Sequence, residues 1–149
     1  IAVIIANKNG RNLAKFVTDF KQKSPETKIR LMGHSLGAHV ILSTIKNLAK
    51  STKNKGIIEA VYLFGGSIPS DALSVKNASY AQKIVSTKIR NYYSPHDEVL
   101  RVADYWNWAD TPIGYKGAHG KTISKYSQTM VKPKNHRFAS YAAVLRSFP

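Results

Sequence analysis

The pentapeptide Gly-His-Ser-Leu-Gly at residues 33–37 lies between a segment predicted to be a β-strand and a segment predicted to be a helix. Residues 28–32 predict a short β-strand, and residues 36–48 carry apolar side chains at helical spacing. A serine on a tight turn between a strand and a helix projects from the carboxyl edge of a sheet. We expect Gly33 and Gly37 to let strand and helix approach closely. The pattern favours Ser35 as a nucleophile, and the alternative is a serine that caps a helix in a glycine-rich loop.

The same alternation of strands and helices is predicted along the rest of the chain. Apolar runs at 1–6, 29–32, 57–64, 89–93 and 123–131 predict strands. Helical spacing predicts helices over 13–20, 36–48, 72–85 and 138–145, while residues 7–10 suggest a turn and 94–120 a loop. Alternating elements of this kind predict an α/β fold, with a mostly parallel central sheet flanked by helices on both faces.

Composition excludes several kinds of site. The chain has 149 residues and no cysteine, so disulfides, thiolate metal sites and cysteine nucleophiles are excluded. No apolar stretch reaches the roughly 18–20 residues of a membrane span, and no signal-peptide pattern is present, so we expect a soluble chain of unknown localisation. The formal net charge of +15 predicts contact with anionic surfaces through a basic face. No specific nucleic-acid motif accompanies that charge.

The segment GHSLGAHV, residues 33–40, resembles the nucleophile segment of α/β-hydrolases, especially serine lipases and esterases. The order of elements over residues 10–141 is similar as well. The resemblance implies a nucleophilic serine, an acid in a loop after a later strand and a histidine near the last helix. It also implies that the first strands of such a sheet are absent, so that residues 1–149 form a single, N-terminally truncated domain.

Three carboxylates are candidates for the acid that orients a catalytic histidine. Asp97, in the loop after the strand at 89–93, occupies the place that the resemblance implies, and Glu98 is its neighbour and the fallback. Asp71 follows the preceding strand and is the second choice, because the end of that strand is occupied by glycines at 65–66.

Five histidines are candidates for the general base. His34 lies too close to the serine in sequence, His39 is on the following helix, and His96 adjoins the acid. His136 lies between the last strand and the last helix, which is the position implied by the resemblance. His119 follows the acid in a glycine-flanked loop and is the rival.

The remaining candidate residues concern the oxyanion and the substrate. The Leu36 N–H, at the start of the helix, is expected to donate to a developing oxyanion. The predicted turn at 7–10 is the candidate for a second donor. Tyr105, Trp106 and Trp108, in the segment between acid and base, are expected to shape a substrate site, although packing in the core explains them equally well.

These observations predict a serine hydrolase that acts on a small-molecule or lipid ester through Ser35, Asp97 and His136. No metal and no cofactor are expected. An acyltransferase with the same residues is not distinguished by sequence. The rival interpretations are a non-catalytic scaffold of the same fold that binds a protein partner, and a basic domain that binds anionic membrane or nucleic acid.

Overall fold

A computed structural model describes residues 1–106 and 111–149, with the backbone alone at residues 105 and 106. The helices of the described part are α1 (Ala2–Lys23), α2 (Gly37–Leu48), α3 (Ser79–Ile84), α4 (Glu98–Trp106), α5 (Ile113–Lys116) and α6 (Phe138–Ala143), with a 3-10 turn at Thr52–Asn54. The strands are β1 (Arg30–His34), β2 (Ile58–Phe64), β3 (Val85–Tyr93) and β4 (Tyr126–Met130).

The four strands form one parallel sheet in the order β1-β2-β3-β4. The register aligns Leu31 with Val61, Val61 with Ile89, and Ile89 with Tyr126. Because all strands run the same way, their carboxyl ends meet at one edge, and the loops that follow them converge there. The predicted α/β fold with a parallel sheet is therefore confirmed.

The two faces of the sheet carry separate hydrophobic cores. Leu31, Val61 and Ile89 point to the larger core, which also takes in buried side chains of α1, α2 and α3. On the opposite face Tyr62 and Phe64 pack with Tyr141 of α6 in a smaller core. Helices thus lie on both faces, and α6 brings the C-terminal part of the chain back to the sheet.

The start of the chain differs from the sequence prediction. Residues 1–6 were expected to form a strand and residues 7–10 a turn, but residues 2–10 lie in α1 and Ile1 precedes its first residue. The buried face of α1 contains Ala6, Gly10 and Ala14, spaced four residues apart. A Cβ at Gly10 would lie 2.3 Å from the Ser43 Oγ, so this glycine permits close packing against α2 and does not form a turn. The short apolar run alone did not distinguish strand from helix.

Several predicted boundaries were also wrong. The helix predicted over 72–85 is confined to Ser79–Ile84, and β3 begins at Val85, four residues earlier than expected. The segment 94–120, expected to be a loop, contains α4 and α5. Among the described residues, no helix combines the length and apolar character that crossing a bilayer requires.

Candidate active site

Ser35 lies on the sharp turn between β1 and α2. Its φ is +54°, the one positive value at a non-glycine position in the described ranges. A left-handed backbone costs free energy for a residue with a Cβ, so surrounding contacts must hold it. The Ser35 N–H donates to the Phe64 carbonyl (3.1 Å), and the Ser35 carbonyl accepts from the N–H groups of Ala38 (3.2 Å) and Ser67 (3.1 Å). These bonds fix the turn between two strand ends.

The two glycines that flank the serine have different surroundings. A Cβ at Gly33 would lie 2.6 Å from Ile41 Cδ1 and 3.0 Å from the Gly37 carbonyl group. A Cβ at Gly37 would meet nothing within 4 Å. The expectation that both glycines are needed for close packing is therefore confirmed for Gly33 and wrong for Gly37, which starts α2 beside open space.

Three side chains from distant parts of the chain meet at this turn. His136 Nε2 lies 2.9 Å from Ser35 Oγ, and His136 Nδ1 lies 2.6 Å from Asp97 Oδ2. An ionised carboxylate only accepts hydrogen bonds, so Nδ1 carries the hydrogen and Nε2 of the neutral ring is free to accept from the serine hydroxyl. The result is a continuous hydrogen-bonded chain from the serine through the imidazole to the carboxylate.

Asp97 is the buried end of that chain, with 2% of its surface exposed. Its Oδ1 accepts from the Leu100 N–H (3.0 Å), and its Oδ2 accepts from the Tyr141 hydroxyl (2.6 Å) as well as from His136. Burial by itself opposes ionisation, but the hydrogen bonds from His136, Tyr141 and Leu100 outweigh it and hold the pKa of Asp97 below its ordinary value. Asp97 is therefore an ionised acceptor at neutral pH.

Tyr141 also belongs to the site. The sequence predicted it only as a residue on the apolar face of the last helix. It is fully buried, and its hydroxyl donates to the same Asp97 oxygen as the imidazole does. Burial, together with the bond to Asp97, raises the pKa of the Tyr141 hydroxyl, so it remains a donor. The available signal was a tyrosine five residues after the candidate histidine, at a core position of the last helix.

His34 was not favoured as the general base, and in the structure it contacts the backbone of His136. Its Nε2–H donates to the backbone carbonyl of His136, and the two imidazole rings lie 4.8 Å apart between centroids. Burial lowers the pKa of His34 despite this hydrogen bond, which favours the neutral ring. His34 thus fixes the backbone that carries His136, and it does so from the residue next to Ser35.

The other candidate acids and bases lie elsewhere. Glu98 pairs with Arg101 at the start of α4, and Asp71 lines a separate groove beside α2. His119 is exposed, and its backbone N–H donates to the Ser70 carbonyl. The structure joins none of these three side chains to Ser35 or His136 within the described part of the chain.

The Leu36 N–H is placed as a donor at the turn. Leu36 precedes the first residue of α2, and among the described residues its N–H has no hydrogen-bond acceptor. The segment 7–10, the candidate for a second donor, lies inside α1, so this expectation is wrong because its N–H groups belong to helical turns. Trp108 lies outside the described residues, as do the side chains of Tyr105 and Trp106.

Comparison with known proteins places the chain in a family. Residues 1–109 match the model of a family described as "Protein of unknown function (DUF726)". The chain belongs to the DUF726 family. The matched residues include Ser35 and Asp97 and end before His136. Family membership by itself assigns no activity.

One curated relative is the rice (Oryza sativa subsp. japonica) protein named "Transmembrane and coiled-coil domain-containing protein STS1". It is 34% identical over 104 residues, an alignment that covers 68% of this chain and 15% of the relative. The chain therefore spans a small part of that relative's length. No solved structure matches this member of the DUF726 family.

Proposed function

We propose that this DUF726 chain is a serine hydrolase that acts on carboxylic esters, with Ser35 as nucleophile. The observation that carries the proposal is the pair of contacts made by His136, 2.9 Å to Ser35 Oγ and 2.6 Å to Asp97 Oδ2. A serine hydroxyl is a weak nucleophile at neutral pH and needs a base within hydrogen-bond reach. The base in turn needs a group that fixes its tautomer, and the buried carboxylate supplies it.

In the proposed acylation step, Ser35 Oγ attacks the ester carbonyl carbon while His136 Nε2 takes the hydroxyl proton. Asp97 stabilises the imidazolium that forms and keeps Nε2 directed at the serine. The Leu36 N–H donates to the carbonyl oxygen as it becomes an oxyanion. The imidazolium then gives its proton to the leaving alcohol, and an acyl-enzyme remains on Ser35.

In the proposed deacylation step, water replaces the alcohol. His136 takes a proton from the water as it attacks the acyl carbonyl, and returns a proton to Ser35 Oγ when the tetrahedral intermediate collapses. The products are the carboxylic acid and the regenerated serine. Small-molecule and lipid esters both present this reacting group, and both belong to the proposed substrate class.

An acyl-enzyme is expected when the protein is mixed with an activated ester and quenched in acid. Intact-mass measurement should show one added acyl group, and peptide mapping should place it on Ser35. The matched variant Ser35→Ala should show none. Ser67→Ala, which removes a buried hydroxyl from a neighbouring half-buried residue, should acylate as the unmodified protein does. Acylation of Ser35→Ala to the same extent would contradict the proposal.

Turnover is expected to require the loss of one proton from the site. The neutral imidazole of His136 must be present to accept the serine proton. Asp97 does not supply that proton, because its hydrogen bonds hold its pKa below the ordinary range and it stays ionised. A pH–rate profile measures this, and an acid limb that requires the loss of two protons would contradict the assignment.

Tyr141→Phe is expected to weaken the support of Asp97 while keeping the buried ring. Hydrogen bonds to charged groups contribute about 1.5–3 kcal/mol, so the variant should lose stability of that order at neutral pH. A carboxyl with a lowered pKa in the folded state stabilises the fold above its unfolded-state pKa and loses that contribution as pH falls through the folded-state pKa. The loss in Tyr141→Phe should therefore shrink in acid.

Urea unfolding of the two proteins at neutral pH and in acid tests this expectation. Tyr115→Phe is the matched control, since its hydroxyl is not bonded to Asp97 in the described structure. A stability difference that is the same at both pH values would show that the Tyr141 hydroxyl does not act through the carboxylate.

A further inference from the structure

A groove of about 730 Å³ runs beside α2, away from the hydrogen-bonded serine. Its walls come from the first half of α1, from α2 after its first turn together with Lys50 just beyond it, from the loop that follows β2, and from the start of α3. Ser35, Asp97 and His136 do not line it. The groove is therefore separate from the hydrogen-bonded serine.

Cationic side chains dominate the groove. These are Arg11 of α1, Lys46 of α2 and Lys50, which lies two residues beyond the end of α2. The described ion pairs include none that joins these three to a carboxylate. Asp71 is the carboxylate on the facing loop, so three positive charges stand against one negative charge. Burial lowers the pKa of His39, which leaves its ring largely neutral at neutral pH.

Neutral polar groups lie between the cations. Asn7 and Asn47 line the groove from the two helices, and Asn47 Oδ1 accepts from Lys50 Nζ (3.1 Å). Asn77 lines it from the loop after β2, and Tyr80 lines it from α3. Lys46 Nζ lies 5.6 Å from the centroid of the Tyr80 ring. Burial raises the pKa of Tyr80 to about 12, so its hydroxyl is protonated at neutral pH and available as a donor.

We propose that this groove binds a phosphate ester, with Arg11, Lys46 and Lys50 as its charged contacts. Guanidinium and ammonium groups together with amide and hydroxyl donors form the set that recognises a phosphate group. The groove has the volume of a small-molecule site, and that set lines it. Val3 and Leu42 add apolar surface beside the cations, which suits a phosphate carried on an organic group.

Binding to two sources of the same chemistry tests the proposal. The protein carries Ser35→Ala throughout, so that binding is measured without turnover and stands apart from the hydrolase proposal. One arm is titration calorimetry with glycerol 3-phosphate. The other is flotation with phosphatidylcholine vesicles, with and without phosphatidate. Binding to glycerol 3-phosphate indicates that the phosphate ester suffices, and binding only to phosphatidate vesicles indicates a lipid headgroup.

The decisive comparison uses two variants that lose the same charge. The groove variant Arg11→Gln, Lys46→Gln, Lys50→Gln removes three cations from the groove. The control variant Lys8→Gln, Lys23→Gln, Lys121→Gln removes three exposed cations that do not line it. Because the net charge is +15, this control separates a site from general attraction to anions.

We expect the groove variant to bind the phosphate ester at least about tenfold more weakly, and the control variant to bind within about twofold of the parent. Circular dichroism checks that all three are folded, and the single variant Lys46→Gln provides a milder change with a smaller loss. Absence of binding in both arms, or equal weakening in the groove and control variants, would overturn the proposal.

Discussion

Replacement of His136 with alanine is expected to lower ester turnover by about a millionfold, the cost of losing the histidine of a triad in a well-characterised serine protease. The imidazole makes both hydrogen bonds that connect the serine to the carboxylate, 2.9 Å to Ser35 Oγ and 2.6 Å to Asp97 Oδ2. Without it the serine has no base within reach, and the carboxylate does not contact the serine in its place. Steady-state turnover of an activated ester measures the effect.

His119→Ala is the matched control for His136→Ala. His119 is exposed, and its backbone N–H donates to the Ser70 carbonyl, so turnover should remain unchanged. The carbonyl that accepts from His34 belongs to the His136 backbone and is kept in the alanine variant. Loss of turnover in His119→Ala, with normal turnover in His136→Ala, would reverse the assignment.

Asp97→Asn is expected to lower turnover by about 10⁴-fold while the chain still folds. An asparagine keeps the shape of the side chain but puts an amide group near the imidazole. If that amide donates to Nδ1, the ring carries its hydrogen on Nε2 and no longer accepts from Ser35. The Tyr141 hydroxyl also loses an ionised acceptor at 2.6 Å, so some stability should be lost with the activity.

Asp71→Asn is the control for Asp97→Asn, because Asp71 was the second candidate acid and lines a groove that Ser35, Asp97 and His136 do not line. Its turnover should equal that of the unmodified protein. Thermal unfolding of both variants separates loss of activity from loss of fold. Near-normal turnover in Asp97→Asn, with a large loss in Asp71→Asn, would transfer the acid role to Asp71.

The meeting of Ser35, Asp97 and His136 was accessible from sequence because it depends on the order of elements. In a parallel sheet every strand ends at the same edge, so residues that follow β1, β3 and β4 are brought together whatever their separation in the chain. The resemblance to α/β-hydrolases implied which of the loops there carry the acid and the base. Gly33 was also predictable as a position where β1 and α2 approach too closely for a side chain. The boundaries of the elements mattered little to this part of the prediction.

Other features depended on which residues pack against each other in the folded chain, and local sequence patterns do not show these contacts. Residues 1–6 have the composition of a buried strand, yet they start a helix because Ala6, Gly10 and Ala14 pack against α2. The bond from Tyr141 to Asp97 joins residues 44 positions apart and required the approach of α6 to the sheet. The aromatic residues proposed to shape the substrate site fall outside the described side chains.

Reaction with a fluorophosphonate probe tests the central claim most directly, because the probe reports the reactivity of the serine without assuming a substrate. The account predicts a single phosphonyl group on Ser35, with no label on Ser35→Ala and greatly slowed labelling of His136→Ala. Mass spectrometry of the intact protein and its peptides measures all three. Failure of the folded protein to react, or a label on a different serine, would contradict the account.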